Sequence, residues 1–332
     1  MTDIYYPLMP TVDMTVLLEQ PLPIVEGQTK DTRSMVMQAG GLANTVIEAV
    51  RLGLSVLPVG QMGQDLFGDW LIEQYKEERI DTSRLHREPG FETQKVLVLA
   101  DRQRAHAFVS MNRGAFGPLP DWRQDLQDSR ALCLTGYHLA CEDTCDQAVR
   151  MLKTAHQMGK LVFFDPGPTI AKLPPDWVCS LLPYCDYLVL TADEAAYLAS
   201  GSAEEMAAAL AAHGCQVVLK DGGRGCYLYR GNTGFWAPGY QVPVVDTTGA
   251  GDSFLAAFML GVLSDLPLAA TAALANGAGA AMVQKLGSGR MVPTVDEIAA
   301  VLEQRWPQAF GGHRVPQLLD GLRALFLGET RQ

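Results

Sequence analysis

The chain has 332 residues, 48% of them hydrophobic, enough to bury a large core. Lysine and arginine number 26 against 37 aspartates and glutamates, a formal charge of −11, with no Lys/Arg-rich run. That excludes the broad basic face a nucleic-acid partner needs. No apolar run approaches the roughly 18 residues of a membrane span, so no membrane partner is expected.

The start, MTDIYYPLMP, lacks a basic flank and an apolar signal segment. Seven cysteines (Cys133, Cys141, Cys145, Cys179, Cys185, Cys215 and Cys226) are scattered and odd in number, which suits free thiols in a reducing compartment. A cytoplasmic protein is the expectation. Residues 15–18 and 33–38 read as extended runs. In GGLANTVIEAVRLGLSVLPVG, Leu42, Val46, Ala49 and Val50 share a helical face, Gly53 ends it, and residues 55–59 enter a strand. Residues 93–100 and 104–110 are again extended, joined by the polar turn Asp101, Arg102, Gln103. These four runs, inserted at about 14–38 and 92–112, predict a small separate sheet. Such a sheet can act as a lid that keeps water from chemistry at a ligand edge.

From about residue 130 a unit repeats: a short apolar run, a turn, then an amphipathic stretch. Strands are predicted at 130–135, 161–165, 187–190 and 216–220. Between the first two, Ala148, Val149, Leu152, Ala155 and Met158 fall at helical spacing before Gly159, a C-cap glycine. Helices are predicted at 253–263, 268–284, 295–303 and 315–326. With no internal repeat or low-complexity linker, one α/β domain over residues 1–332 is expected, its mostly parallel central sheet flanked by helices and accompanied by the small β-sheet lid.

The most informative stretch is VVDTTGAGDSF, residues 244–254. Gly249, Ala250 and Gly251 leave backbone N–H groups bare where a helix begins, an anion site through unpaired donors and the helix dipole. Asp252 would repel that anion unless it accepts a proton from an alcohol nucleophile; the alternative is a plain helix-capping aspartate. The dinucleotide fingerprint fails because Phe254 stands where a third small residue belongs, and no GxxxxGK[ST] occurs. His138, Cys141 and Cys145 lie close together but lack a fourth ligand or a second pair, so zinc is not expected.

The run from Asp246 to Phe254, followed by Ala256, Ala257 and Phe258, resembles the C-terminal signature of the ribokinase-like, or PfkB, carbohydrate kinase family. Gly40, Gly41 and Asn44, a helix and Gly53, then Gly60, Gly63, Asp65 and Gly68, are similar to its N-terminal glycine motif, and Lys220-Asp-Gly222-Gly-Arg-Gly225 to its nucleotide-side loop. The resemblance implies an ATP-dependent kinase acting on a hydroxyl of a sugar or sugar-like molecule. Asp252 would be the base, with Gly249, Ala250 and Gly251 the anion hole. Asp13, Gly40, Gly41 and Asn44 would bind substrate, and Arg113, at the end of the lid segment, could touch it. Lys220, Gly222, Gly225 and Asn276 would line the nucleotide, with Glu194 organising magnesium and phosphate. Asp246, Thr248, Met282, Lys285 and Gly287 match a monovalent-cation site for potassium, largely of backbone carbonyls, and a homodimer through the lid is implied. Three departures are visible: Thr191 replaces an asparagine ahead of Glu194, Thr11 replaces one ahead of Asp13, and Asp165-Pro-Gly-Pro lacks an arginine. A nucleoside or vitamin-type alcohol as substrate, and a non-catalytic sugar or nucleotide sensor, are the alternatives.

Overall fold

A computed structural model describes residues 1–103, 106–111, 119–305 and 320–321. The first half of the chain runs β1 (Thr2–Pro7), β2 (Thr11–Leu18), β3 (Thr32–Gly40), α1 (Ala43–Arg51), β4 (Val56–Gly63), α2 (Leu66–Glu77), β5 (Leu85–Glu88), β6 (Gln94–Ala100), β7 (His106–Met111), α3 (Trp122–Gln127) and β8 (Ser129–Thr135). It continues with α4 (Gly136–Leu139), α5 (Glu142–Gln157), β9 (Leu161–Asp165), α6 (Pro175–Cys179), β10 (Tyr187–Thr191), α7 (Ala192–Ala195), α8 (Ala203–Ala211) and β11 (Gln216–Lys220). A hairpin, β12 (Gly225–Arg230) and β13 (Thr233–Pro238), precedes α9 (Ala250–Leu263), α10 (Leu268–Met282) and α11 (Val295–Leu302).

The central sheet has the order β13-β12-β11-β10-β9-β8-β1-β4-β5. It is parallel from β11 to β5, and the hairpin adds two antiparallel strands at one edge. Strand side chains alternate between faces, so neighbours serve different cores. Tyr5, Leu188, Leu190, Val217 and Leu219 pack with residues of α3, α5, α6 and α8. Ile4, Tyr6, Val189 and Val218 pack with α1, α2, α9, α10 and α11. Both faces of the sheet are therefore covered, which is why its strands read as continuous apolar runs.

A second sheet, β3-β2-β6-β7, is separate. Strand β2 starts at Thr11 rather than residue 15, because Thr11 to Met14 pair with Gly40 to Met37 across the sheet. Asp13 accordingly lies within a strand of the small sheet and not in a turn. The Asp101 carboxylate accepts N–H groups from Gln103 (2.8 Å) and Leu22 (2.7 Å), fixing the turn after β6. Helix α9 begins at Ala250, three residues before the predicted start. Gly249, at φ +76°, turns the chain, and the Ser253 N–H closes the first turn on the Gly249 carbonyl at 2.9 Å. The predicted helix at 315–326 falls almost wholly outside the described residues. Among those residues no helix is long and apolar enough to cross a membrane.

The packing of α9 on the sheet centres on Phe258, which is fully buried. Its ring meets Tyr187 edge-on at 5.4 Å, Phe163 at 6.4 Å, and stacks with Phe254 at 6.2 Å. Phe258→Ala is expected to cost about 3–5 kcal/mol through lost burial and a residual cavity. The urea-unfolding midpoint checks this; an unchanged midpoint would mean that the site collapses freely.

Candidate active site

The carboxyl ends of β8 to β11 form the edge at which ligands bind in open α/β sheets. There Thr135 stands beside Asp165, and Thr191 beside Lys220, in strand register. The N-termini of α1 and α9 face the same edge, and two cavities of ≈ 390 and ≈ 400 Å³ open onto it. The first is lined by Asp13, Gly41, Asn44, Asp246, Gly249 and Asp252, among others. The second is lined by Gly222, Gly225, Ala250 and Asn276, among others. Thr191, Lys220 and Gly251 line both, so the cavities meet at those three residues.

Asp252 sits in the first turn of α9 but does not cap it. Its Oδ1 accepts the Thr45 hydroxyl at 2.8 Å, and its Oδ2 accepts the Asn44 amide N–H at 3.1 Å. Both donors are buried in the first turn of α1 and reach across to α9 rather than bonding their own helix. The other end of the Asn44 amide accepts the Gly289 N–H at 2.6 Å. Burial pushes the Asp252 carboxyl up to about 6; the Thr45 and Asn44 bonds oppose that rise and the charge of Asp165 adds to it.

Asp13 lies on the other side of the same cavity. Its Oδ2 accepts the Gly41 N–H and the Ser288 hydroxyl, each at 3.3 Å. Gly40 has to be bare: a Cβ there would fall 1.8 Å from Asp13 Oδ2. Burial pushes this carboxyl to about 6 as well, against the Gly41 and Ser288 bonds.

At the junction, the Lys220 ammonium is 3.0 Å from Asp165 Oδ2, with both side chains largely shielded from water. Burial alone would lower the lysine pKa, but Asp165 and Glu194 outweigh it and raise it. A Cβ on Gly251 would lie 3.5 Å from this ammonium, so the cation sits against the start of α9. The Ala250 N–H is already engaged by the Thr247 carbonyl at 3.3 Å. The N–H groups of Gly249 and Gly251, at the N-cap and in the first turn, have no intrahelical acceptor and, among the described residues, are not engaged by the preceding loop as Ala250 is.

Thr191 closes a capping box on α7: its hydroxyl accepts the Glu194 N–H at 3.1 Å, and Glu194 Oε2 accepts the Thr191 N–H at 2.7 Å. The threonine thus fixes the direction of Glu194, whose carboxyl is raised by burial and by Asp165. Asn276 lines the second cavity, but its amide donates to the carbonyls of Ala237 (3.0 Å) and Pro238 (3.4 Å).

Of the residues expected around a monovalent cation, Asp246, Thr248 and Gly287 come together. The Asp246 carboxylate accepts the Thr248 N–H (3.0 Å), the Thr248 hydroxyl (2.9 Å) and the Gly287 N–H (3.0 Å). The Met282 carbonyl accepts the Lys285 N–H at 3.0 Å, and the Lys285 ammonium turns away to Glu297 at 2.8 Å. Arg113 lies outside the described residues. Thr45, Asp165, Gln38 and Ser288 complete the site and are absent from the sequence-based set. Only Asp165 left a trace in the sequence, as a polar residue ending an apolar strand.

The chain resembles known proteins in both sequence and fold. A model of the pfkB family of carbohydrate kinases matches residues 11–295. An ATP-dependent ribose-1-phosphate kinase from Halopiger xanaduensis is 27% identical over 307 residues, covering 89% of this chain and 96% of its own. Among solved structures, Arabidopsis thaliana ribokinase complexed with ribose and ATP superimposes with a TM-score of 0.77 at 21% identity, over 91% of this chain and 99% of its own. The nucleoside kinase of Burkholderia thailandensis in complex with inosine superimposes with a TM-score of 0.74 at 17% identity, over 93% and 99%. The family match spans most of the chain, from the start of β2 to the start of α11, and the chain belongs to the pfkB family of carbohydrate kinases.

Proposed function

We propose that the protein transfers the γ-phosphoryl group of ATP to a hydroxyl of a sugar or sugar-like molecule. The observation that carries this is the Asp252 carboxylate, held by Asn44 and Thr45 beside the start of α9 and the Lys220 ammonium. A carboxylate so close to an anion-binding corner is useful to an alcohol and a hindrance to a phosphate alone. Asp252 takes the hydroxyl proton as the oxygen bonds to the γ-phosphorus and the bond from that phosphorus to the β-phosphate oxygen breaks. The N–H groups of Gly249 and Gly251, with Lys220, meet the charge on the transferred group, and Asp165 keeps Lys220 in place.

Asp13 and Asn44 orient the acceptor in the first cavity, while Gly222, Gly225 and Asn276 line the second for the nucleotide. The ribose and inosine named with the two structural neighbours are compatible with this division. Among the described residues no cluster of acidic, His or Cys side chains could cage a metal. Magnesium, a hard ion that binds through phosphates, water and one or two carboxylates, fits Asp165 and Glu194 there and would neutralise phosphate charge. A potassium ion at the Asp246 corner would meet backbone carbonyls, because that carboxylate already accepts three hydrogen bonds.

The small sheet acts as the lid. Met35 and Val36 on its β3 edge and Val109 on its β7 edge are exposed, which supports a homodimer through this sheet. Sedimentation at micromolar concentration is expected to give a dimer, and a monomer would count against it.

Asp252→Asn is expected to lower kcat by roughly 10²–10⁴-fold, as for loss of a general base, while ATP affinity measured by calorimetry stays within about twofold. Near-normal turnover would sink the assignment of the base. In the wild type the base must be ionised, so kcat is expected to rise with pH through about 6 and to be lost as pH falls below it. Thr45→Val removes a bond that favours the carboxylate, so its acid limb should move to higher pH. An acid limb that stays put in Thr45→Val would assign it to another group.

A further inference from the structure

Resting on the kinase reading above, we infer that the acceptor cavity takes an uncharged sugar bearing an apolar ring, the chemistry of a nucleoside, and excludes sugar phosphates and sugar acids. The cavity has two chemically distinct ends. At the root of the small sheet it is polar: Thr11 and Gln94 are paired in register, their side chains are 3.2 Å apart, and Asp13 follows on the same face. Further out along β6 the residues on this face are Val96, Val98 and Ala100, since alternate positions share a side.

The loop after α10 contributes Leu286, which lines the same cavity and is 52% exposed. Apolar sheet residues and a solvated leucine thus border one space immediately beyond the polar end. A free sugar presents hydroxyls in every direction and would leave this apolar end in water. A sugar with its hydroxyls at Asp13, Asn44 and Asp252 and a flat ring between β6 and Leu286 would cover both ends. The volume of ≈ 390 Å³, which also takes in the side at Lys220 and Gly251, lies within the roughly 300–1,000 Å³ of pockets for drug-sized ligands.

Charge narrows the class further. The described lining residues include the carboxyl groups Asp13, Asp165, Glu194, Asp246 and Asp252 against one cation, Lys220. That cation is already paired with Asp165. Lys95 falls on the alternate face of β6, where it lies over the Phe67 ring, and Lys285 pairs with Glu297. A carboxylate or phosphate on the acceptor would be desolvated next to Asp13 and Asp252 with no cation to meet it among the described residues, a costly arrangement.

The test is ADP release by the purified full chain with ATP and magnesium over a panel of acceptors. The panel holds inosine, adenosine, cytidine and uridine, then ribose and fructose, an aryl riboside, gluconate and ribose 1-phosphate. At least one nucleoside is expected to exceed both free sugars in kcat/KM by about 10- to 100-fold, the scale of burying one apolar ring, with no turnover of the two anions. Leu286→Ser and Val98→Thr should each lower the nucleoside-to-ribose ratio several-fold, mainly through the nucleoside KM. Leu286 is exposed, so its variant keeps the fold. A preference for a free sugar or an anion overturns the inference and leaves the kinase reading standing, whereas turnover of the aryl riboside above both free sugars supports it. If no acceptor in the panel releases ADP, calorimetry decides: nucleoside binding without ATP supports the inference, and no binding overturns it.

Discussion

The site depends on one bridge between two helices. Asp252 on α9 is held by Asn44 and Thr45 on α1, residues more than 200 positions earlier in the chain. A carboxylate taken out of water is tolerable only when donors replace its hydration, and charge-assisted bonds of 2.8 and 3.1 Å do so here. They do not do so fully, because burial still raises the group to about 6. The balance suits a base: the carboxyl is ionised at neutral pH, yet more basic than an ordinary aspartate. Stronger bonds would make it a weaker base, and weaker bonds would raise the carboxyl further.

The same bridge sets the partition between the two cavities. Once α9 is fixed against α1, its N-terminus sits where β11 ends, and Gly251 comes against Lys220. The lysine faces both cavities, with Asp165 of β9 holding it from across β10. A side chain at position 251 would meet the ammonium, and a non-glycine at 249 would be strained at φ +76°. Two glycines and one lysine thus border the junction of the two cavities, where the proposed reaction would pass the phosphoryl group. Thr191 lines the same junction and, by capping α7, fixes the direction of Glu194.

The corner at 244–254 was legible in the sequence as a helix start because its pattern is local, glycines bracketing the turn ahead of an acid. Strand positions were legible for a similar reason: apolar runs covered on both faces leave little doubt about burial. Thr45 was not legible, since one more small polar residue in a first helical turn carries no sign of which helix it faces. Nor was the Lys220–Asp165 pair, which depends on β10 lying between β9 and β11, and strand order is not a local property. The β12–β13 hairpin was a different kind of miss. Its turn, Gly231-Asn232, adopts φ of +55° and +69°, the conformation its two residue types favour, so the signal was present in the sequence.

The small sheet is anchored more firmly than its edge position suggests. Asp13 sends its carboxylate out of β2 to Gly41 and Ser288, and Gln38 on β3 accepts the Ser288 N–H at 3.0 Å. The flanking residues of that loop are held from the main body, Gly287 by Asp246 and Gly289 by Asn44. Three consecutive residues, 287–289, therefore join Asp13, the Asn44 amide that holds Asp252, and the Asp246 corner before α9. The sheet's root is tied to the main body in this way, while Met35 and Val36, farther along β3, are exposed. Any movement of the sheet that displaces its root has to break bonds made by Asp13 and Gln38, so in the proposed reaction coverage of the cavity and alignment of the acceptor would be one mechanical event.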